Sequence, residues 1–116
     1  LKNIERDYFI YLLSKAKILI GNSSSGIIEA SSFKLPVINI GNRQRGRLQS
    51  SNIVNVAHSE RFIFNTILKI LKNKKLIKKI KKCRNPYGNG NSSKKIVHIL
   101  KNIKINKTLL DKENTY

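Results

Sequence analysis

The residues best suited to chemistry lie in one short segment, Gly21-Asn22-Ser23-Ser24-Ser25-Gly26-Ile27-Ile28-Glu29-Ala30. Three consecutive serines offer hydroxyl donors without bulk, and Gly26 lets a backbone and a ligand approach closely. When a strand delivers the chain to such a turn and a helix leaves it, unpaired N–H groups and the positive dipole end face the same point. That is a cradle for a phosphate group. It is neither a G-x-G-x-x-G turn nor a Walker loop, because the spacing and the lysine are both wrong. One serine would suffice to cap the helix; three with a glycine favour anion binding.

Two further elements bear on the same point. Glu29 follows the turn Ser23–Gly26 by three to six residues, about one helical turn, or roughly 5–8 Å. A carboxylate there can accept hydrogen bonds from two vicinal ribose hydroxyls. It can equally be a first-turn acid that complements the helix dipole, and spacing alone leaves both open. Arg43, Arg45 and Arg47 lie in the loop after the next apolar run, at the same edge of the expected sheet. Arginine suits phosphate because its planar fork bonds two oxygens at once. Charge alone favours a solvated loop in so basic a protein.

The surrounding pattern supplies the elements that position these residues. Ile4 to Ala16 predicts a helix with Ile4, Tyr8, Tyr11, Leu12 and Lys15 on one side, and Phe9 and Leu13 alongside. Lys17 to Gly21 and Val37 to Gly41 are apolar runs ending in glycine, the pattern of buried strands. Ile27 to Lys34 is helical in pattern and Pro36 closes it. Asn42 to Ser51 is a polar loop, and Ile53 to Val56 a third short strand. Ser59 is a credible N-cap for a helix carrying Phe62, Ile63, Ile67, Ile70 and Leu71. A break at Asn73 separates it from a helix over 74–83. Turn formers fill 85–91, and Ser92 or Ser93 caps a last helix holding Ile96, Val97, Leu100 and Ile103. The order predicts an α/β domain: a parallel sheet flanked by helices, its strands apolar because helices cover both faces. Residues 1–105 form the domain, and 106–116 a polar tail expected to be disordered.

Composition narrows the classes. At 116 residues there is room for one core. No apolar run reaches bilayer length, so no membrane partner is expected. The single cysteine, Cys83, cannot form an internal disulfide, no Cys/His cluster suggests a metal, and no cofactor motif appears. A reducing, cytoplasmic setting is expected. The chain contains no methionine, so either it was processed or it is part of something longer, and so small a sheet suggests the second. The net charge of +18 is concentrated in residues 61–116, which hold sixteen Lys/Arg against two Asp/Glu. Nucleic acid is one reading of that surface. Yet the lysines of 69–82 alternate with Leu and Ile at helical spacing, and no aromatic residues interleave for base stacking. An ordinary solvated helix face in a lysine-rich protein is the better account.

Taken together, GNSSSGIIEA, then LPVINIGNRQRGR, then NPYGNGNSS resemble the hydrolysing UDP-N-acetylglucosamine 2-epimerases of sialic-acid-type sugar synthesis. The likeness runs from about Asp7 to Leu100. It implies the C-terminal, Rossmann-like lobe of a glycosyltransferase-B fold, with the N-terminal lobe absent from this chain. It further implies that Ser23 and Ser24 hold the diphosphate of UDP, Glu29 the ribose hydroxyls, and that Arg43 faces the diphosphate. Ser25, Gly26 and Arg47 are added as further anion contacts. The implied partners are a UDP-sugar substrate and the N-terminal lobe, and the likeness admits a homodimer at full length. The implied reaction removes the C2 proton as UDP leaves C1, then adds water to the glycal, giving N-acetylmannosamine and UDP. By the same likeness no catalytic residue lies in this chain: the acid/base carboxylates belong to the N-terminal lobe, and neither His58 nor His98 matches the family's histidine. A glycosyltransferase-B domain of another activity is the nearest alternative, and the NRQRGR segment speaks against it. A basic nucleic-acid-binding protein is the alternative from another class, to be tested by a salt titration of duplex DNA binding.

Overall fold

The computed structural model describes residues 3–111. Three parallel strands form the sheet: β1 (Leu19–Gly21), β2 (Val37–Ile40) and β3 (Ile53–Val56), in the order β1-β2-β3. Leu19 pairs with Val37 and Val37 with Ile53, so the three strands begin level, and at the carboxyl edge β1 ends opposite Asn39, one residue short of the ends of β2 and β3. The expected α/β class and parallel sheet are therefore present. Three of the four residues of β2 are buried, whereas Ile20 on β1 is 45% exposed. The uniform covering expected from the apolar sequences holds only for the central strand.

Helix α1 (Arg6–Lys15) packs through Leu13, Phe9 and Ile10 onto Ala30, Leu35 and Val37. This revises the expected face: Tyr8 and Tyr11 point to solvent, their rings 6.3 Å apart, with the Lys15 ammonium 5.5 Å from the Tyr11 ring centre. Tyrosine tolerates that position because its hydroxyl is content in water, whereas the Phe9-Ile10-Leu13 stripe is not. Helix α2 is short, Ser24–Ile28, and a 3-10 turn over Ala30–Phe33 follows it. The expected single helix over 27–34 thus begins earlier and breaks at Glu29. The serines are good caps but poor helix interiors, so the first turn forms at Ser23 rather than beyond the cluster. Lys34, with φ +54°, ends the segment in the left-handed region before Leu35 and Pro36 enter β2.

Helix α3 (Glu60–Lys72) lies against β2 and β3, with Ile70 buried and Ile63 and Ile67 half-buried. Phe62 and Leu71, expected on that face, are exposed. Ser59 stands at the N-cap position of α3, but its side chain makes no capping bond. Asn73 does break the helix, and its side chain accepts from the Leu76 amide at 2.9 Å to start α4 (Lys74–Lys81). Ile27, Ile38, Ile70 and Ile80 are each at most 1% exposed. Burial of such a side chain is worth about 1.5–3 kcal/mol, so these four anchor the sheet and helices.

Asn85 and Tyr87 fasten the next turn to the body of the domain. Asn85 Nδ2 donates to the Ile28 carbonyl at 2.8 Å and to Ser32 Oγ at 2.7 Å, and the Tyr87 hydroxyl donates to the Leu48 carbonyl at 3.0 Å. Helix α5 (Ser92–Asn102) then leaves the body and buries none of its residues. Its N-cap position is Asn91, without a capping bond, rather than Ser92 or Ser93. Beyond it, Asn106 caps a single turn, α6 (Lys107–Leu110), through a 2.9 Å bond from the Leu109 amide. Lys112–Tyr116, the rest of the expected tail, lie outside the described residues. The radius of gyration, 18.6 Å, exceeds the ~13 Å of a compact chain this long. A helical arm standing off the sheet is the reason.

Candidate functional site

The serine turn sits where the sequence suggests, at the carboxyl end of β1, between that strand and α2. In an open parallel sheet this is the edge at which ligands bind. Asn22 and Ser23 are exposed, and Ser24 and Ser25 half-buried, so the turn is open to solvent. Ser23 is the N-cap of α2: its Oγ accepts from the Ser25 amide at 3.4 Å and from Ser25 Oγ at 2.9 Å. Those bonds use oxygen lone pairs and leave the Ser23 hydroxyl proton free to donate. With five residues in α2, the dipole is small, and the hydroxyls and arginines carry more of any anion's stabilisation.

Gly26 is held in place by packing. It is buried, its amide donates to the Ser23 carbonyl at 3.2 Å, and a Cβ there would lie 3.0 Å from Val37 Cγ1 and 3.5 Å from Leu19 Cδ2. The missing side chain lets α2 settle onto β1 and β2. Its contribution to the turn is therefore through packing, which brings the serines close to the strand edge.

Glu29 lies one turn beyond Ser25, whose carbonyl accepts from the Glu29 amide at 2.9 Å. Its carboxylate is not free: Oε1 pairs with Arg6 NH1 of α1 at 3.0 Å. The glutamate side chain is 23% exposed and that of Arg6 73%, so the pair is open to water and weak. The second carboxylate oxygen keeps its acceptor capacity. Sequence reading missed Arg6, which stands 23 residues earlier, because nothing in the helical pattern of α1 marks it as a partner of the serine segment.

The loop after β2 approaches the same turn. Arg43 NH1 donates to the Asn22 carbonyl at 3.4 Å, and Gln44 Nε2 donates to that same oxygen at 2.8 Å. Arg43 is exposed while Gln44 is only 3% exposed. Thus Ser23, Ser24 and Arg43 share one edge of the sheet, and Glu29 stands one helical turn beyond it, paired with Arg6. Arg47 is exposed, its amide donating to the Gln44 carbonyl at 3.3 Å. Arg45 goes elsewhere. It lines a cavity of about 300 Å³ with Asn39, Gly41, Asn42, Gly46, Gln49 and Asn55, floored by an amide ladder. In that ladder Asn39 Nδ2 donates to Asn55 Oδ1 at 2.7 Å, and Asn55 Nδ2 to Gln49 Oε1 at 2.8 Å. These amides were not singled out from the sequence; an asparagine inside each of two apolar strands is the signal that could have found them.

A larger cavity, about 680 Å³, is lined by Ser32, Lys34, Arg84, Asn85, Gly88, Asn89, Gly90 and Lys95, none of which belongs to the serine turn. Its size reflects the gap between the domain body and α5, and the chemistry of the serine turn outweighs it as a guide to function. His58 closes on Gly41, where a Cβ would lie 2.1 Å from His58 Nε2. His98 is exposed on α5. Among the described residues, no group of three His, Cys, Asp or Glu is placed to hold a metal ion, and no helix is long and apolar enough to cross a membrane.

Comparison with known proteins adds to this geometry. The family model described as UDP-N-acetylglucosamine 2-epimerase matches residues 1–101. A UDP-N,N'-diacetylbacillosamine 2-epimerase (hydrolyzing) of Legionella pneumophila is 37% identical over all 116 residues, which span 29% of that protein. A UDP-N-acetylglucosamine 2-epimerase of Neisseria meningitidis is 38% identical over 65 residues, 56% of this chain and 17% of that protein. The crystal structure of a putative UDP-N-acetylglucosamine 2-epimerase from Listeria monocytogenes superposes with a TM-score of 0.75 at 19% identity, covering 87% of this chain and 28% of that one. That superposition establishes the fold, an α/β arrangement of the glycosyltransferase-B kind. The chain spans under a third of the length of these relatives.

Proposed function

Since the chain belongs to the UDP-N-acetylglucosamine 2-epimerase family, we propose that it forms the UDP-gripping part of a hydrolysing nucleotide-sugar 2-epimerase. The observation that carries this is that Ser23, Ser24 and Arg43 meet at one open sheet edge, with Glu29 one helical turn beyond the serines. On this reading Ser23 and Ser24 donate to the diphosphate, and Arg43 gives up its long bond to Asn22 to pair with it. Ser25 and Arg47 lie near enough in sequence to assist. The free carboxylate oxygen of Glu29 accepts from ribose hydroxyls, and Arg6 holds the other oxygen in place. Gly26 serves the site by seating α2.

In the reaction proposed for the complete enzyme, a base takes the C2 proton and UDP leaves C1 with the bonding electrons. The C1=C2 glycal that results then adds water with inversion at C2. The groups for those proton transfers belong, by family likeness, to an N-terminal lobe that is the natural partner of this one. The 116-residue chain alone should therefore release no N-acetylmannosamine, and detecting that product would refute the assignment of roles. A homodimer at full length and a cytoplasmic location go with the same reading. No resident cofactor or metal is called for, since the leaving group is a stabilised diphosphate.

The sugar is open to two readings. UDP-N-acetylglucosamine follows the family description, whereas the relative matching along the whole chain is named for N,N'-diacetylbacillosamine. The test of the common part is a titration with UDP, followed by backbone chemical shifts. Changes should cluster at Ser23–Glu29 and Arg43. Glu29→Gln should weaken UDP about fivefold to tenfold while leaving a uridine-free ligand such as pyrophosphate unaffected, the scale of exchanging a charged acceptor for a neutral one. Unchanged UDP affinity in that variant would remove the ribose role.

A further inference from the structure

Gln44 carries a role that neither its charge nor its exposure suggests. It lies in the arginine loop, flanked by the exposed Arg43 and Arg45, yet is 3% exposed itself. Its Nε2 makes a 2.8 Å bond to the Asn22 carbonyl, the residue between Gly21 and the N-cap Ser23. Its Oε1 is buried with no hydrogen-bond partner among the described residues. Burying an amide with half its capacity unused is unfavourable, and an apolar side chain of the same length would avoid that cost. What an apolar side chain could not supply is the donor.

The same carbonyl also receives Arg43, but at 3.4 Å, near the limit of a hydrogen bond. Two donors thus share one acceptor, one held short by burial and one long from solvent. If Gln44 were absent, Arg43 would be the sole side-chain donor to Asn22, and turning it toward an anion would leave the carbonyl without one. With Gln44 in place the arginine can leave at little cost. We propose that Gln44 is a positioning residue. It holds the Asn22 carbonyl, and with it the Gly21–Ser23 turn, so that Arg43 is released to a diphosphate at the serines. This rests on the reading that the serine turn receives the diphosphate.

Gln44→Met keeps the length and removes the donor, and Gln44→Glu keeps the shape but donates only when protonated. In the ligand-free chain, Gln44→Met should raise amide hydrogen exchange at Ser23–Gly26 several-fold over the unmutated chain, with exchange in β2 unchanged. In UDP titrations at pH 7 both variants should bind about tenfold more weakly, the scale of one lost hydrogen bond. At this position burial raises a carboxyl's titration and the neighbouring Arg43 guanidinium lowers it; once protonated the carboxyl donates again, so the Gln44→Glu deficit relative to the unmutated chain should shrink as pH falls from 7 through that carboxyl's titration. A merely structural role predicts a deficit that ignores pH. If the unmutated chain binds UDP and both variants match it, or the deficit is flat with pH, the positioning role is overturned while the diphosphate reading stands. If the unmutated chain binds no UDP, the diphosphate reading fails, and unaltered exchange at Ser23–Gly26 overturns the positioning role as well.

Discussion

Helices α3 and α5 carry similar sequences and meet different fates. Each alternates Lys or Asn with Ile, Val and Leu at helical spacing. In α3 the stripe of Ile63, Ile67 and Ile70 lies on β2 and β3, and Ile70 is 1% exposed. In α5 the stripe of Ile96, Ile99, Leu100 and Ile103 is 42–66% exposed throughout. The lesson is that an apolar stripe announces a helix face without saying what covers it. For α3 the cover is a strand a few residues away in sequence. For α5 it is not among the described residues.

Four substitutions would break or sharpen this contrast. The largest effect is expected in the sheet beneath α3: Ile38→Ala, at a fully buried position of the central strand, should cost about 2–4 kcal/mol in denaturant unfolding. A loss below 1 kcal/mol would mean that the sheet is not the stable part of the chain. Gly41→Ala, at the end of β2, should cost about 1–2 kcal/mol, because φ is +74° and the new methyl meets His58. The double variant with His58→Ala should recover the steric part and retain the backbone part, measured as a shift in melting temperature. Arg43→Ala should leave stability within about 0.5 kcal/mol, since the side chain is exposed. It should nevertheless weaken UDP about tenfold by calorimetry, as removal of one charge-assisted contact would. The smallest effect belongs to the arm: Leu100→Ser, 66% exposed, should change stability by less than about 0.5 kcal/mol. A large loss there would show that α5 is covered in solution, for example by a second copy, and a dependence on protein concentration would identify that copy.

Much of the fold was legible because short-range patterning in this chain is consistent. Val37-Ile38-Asn39-Ile40 between Pro36 and Gly41 can hardly be anything but a buried strand, and it is the most buried one. The serine turn was legible for the same reason, since a cap of small hydroxyl residues follows a strand and opens a helix. The break at Glu29 was less so, as the apolar spacing of Ile27, Ile28 and Phe33 fits a continuous helix. The close seating of Gly26 against Val37 and Leu19 is a tertiary contact that this spacing does not announce. Gln44 was not legible, because burial of one residue within a charged loop leaves no periodic trace.

The amino-acid order by itself determined the local chemistry: where strands and helices run, which hydroxyls cluster, and that one half of the chain is far more basic than the other. These follow from covalent geometry and residue type, whose influence reaches a few residues along the chain. What only the tertiary structure decided is who meets whom: Arg6 on Glu29 across 23 positions, Gln44 and Arg43 on one carbonyl of Asn22, and Arg45 in a separate cavity. Such pairings depend on how strands stack in the sheet and how loops return over their ends. They are set by packing summed over the whole domain, which no short window of sequence contains.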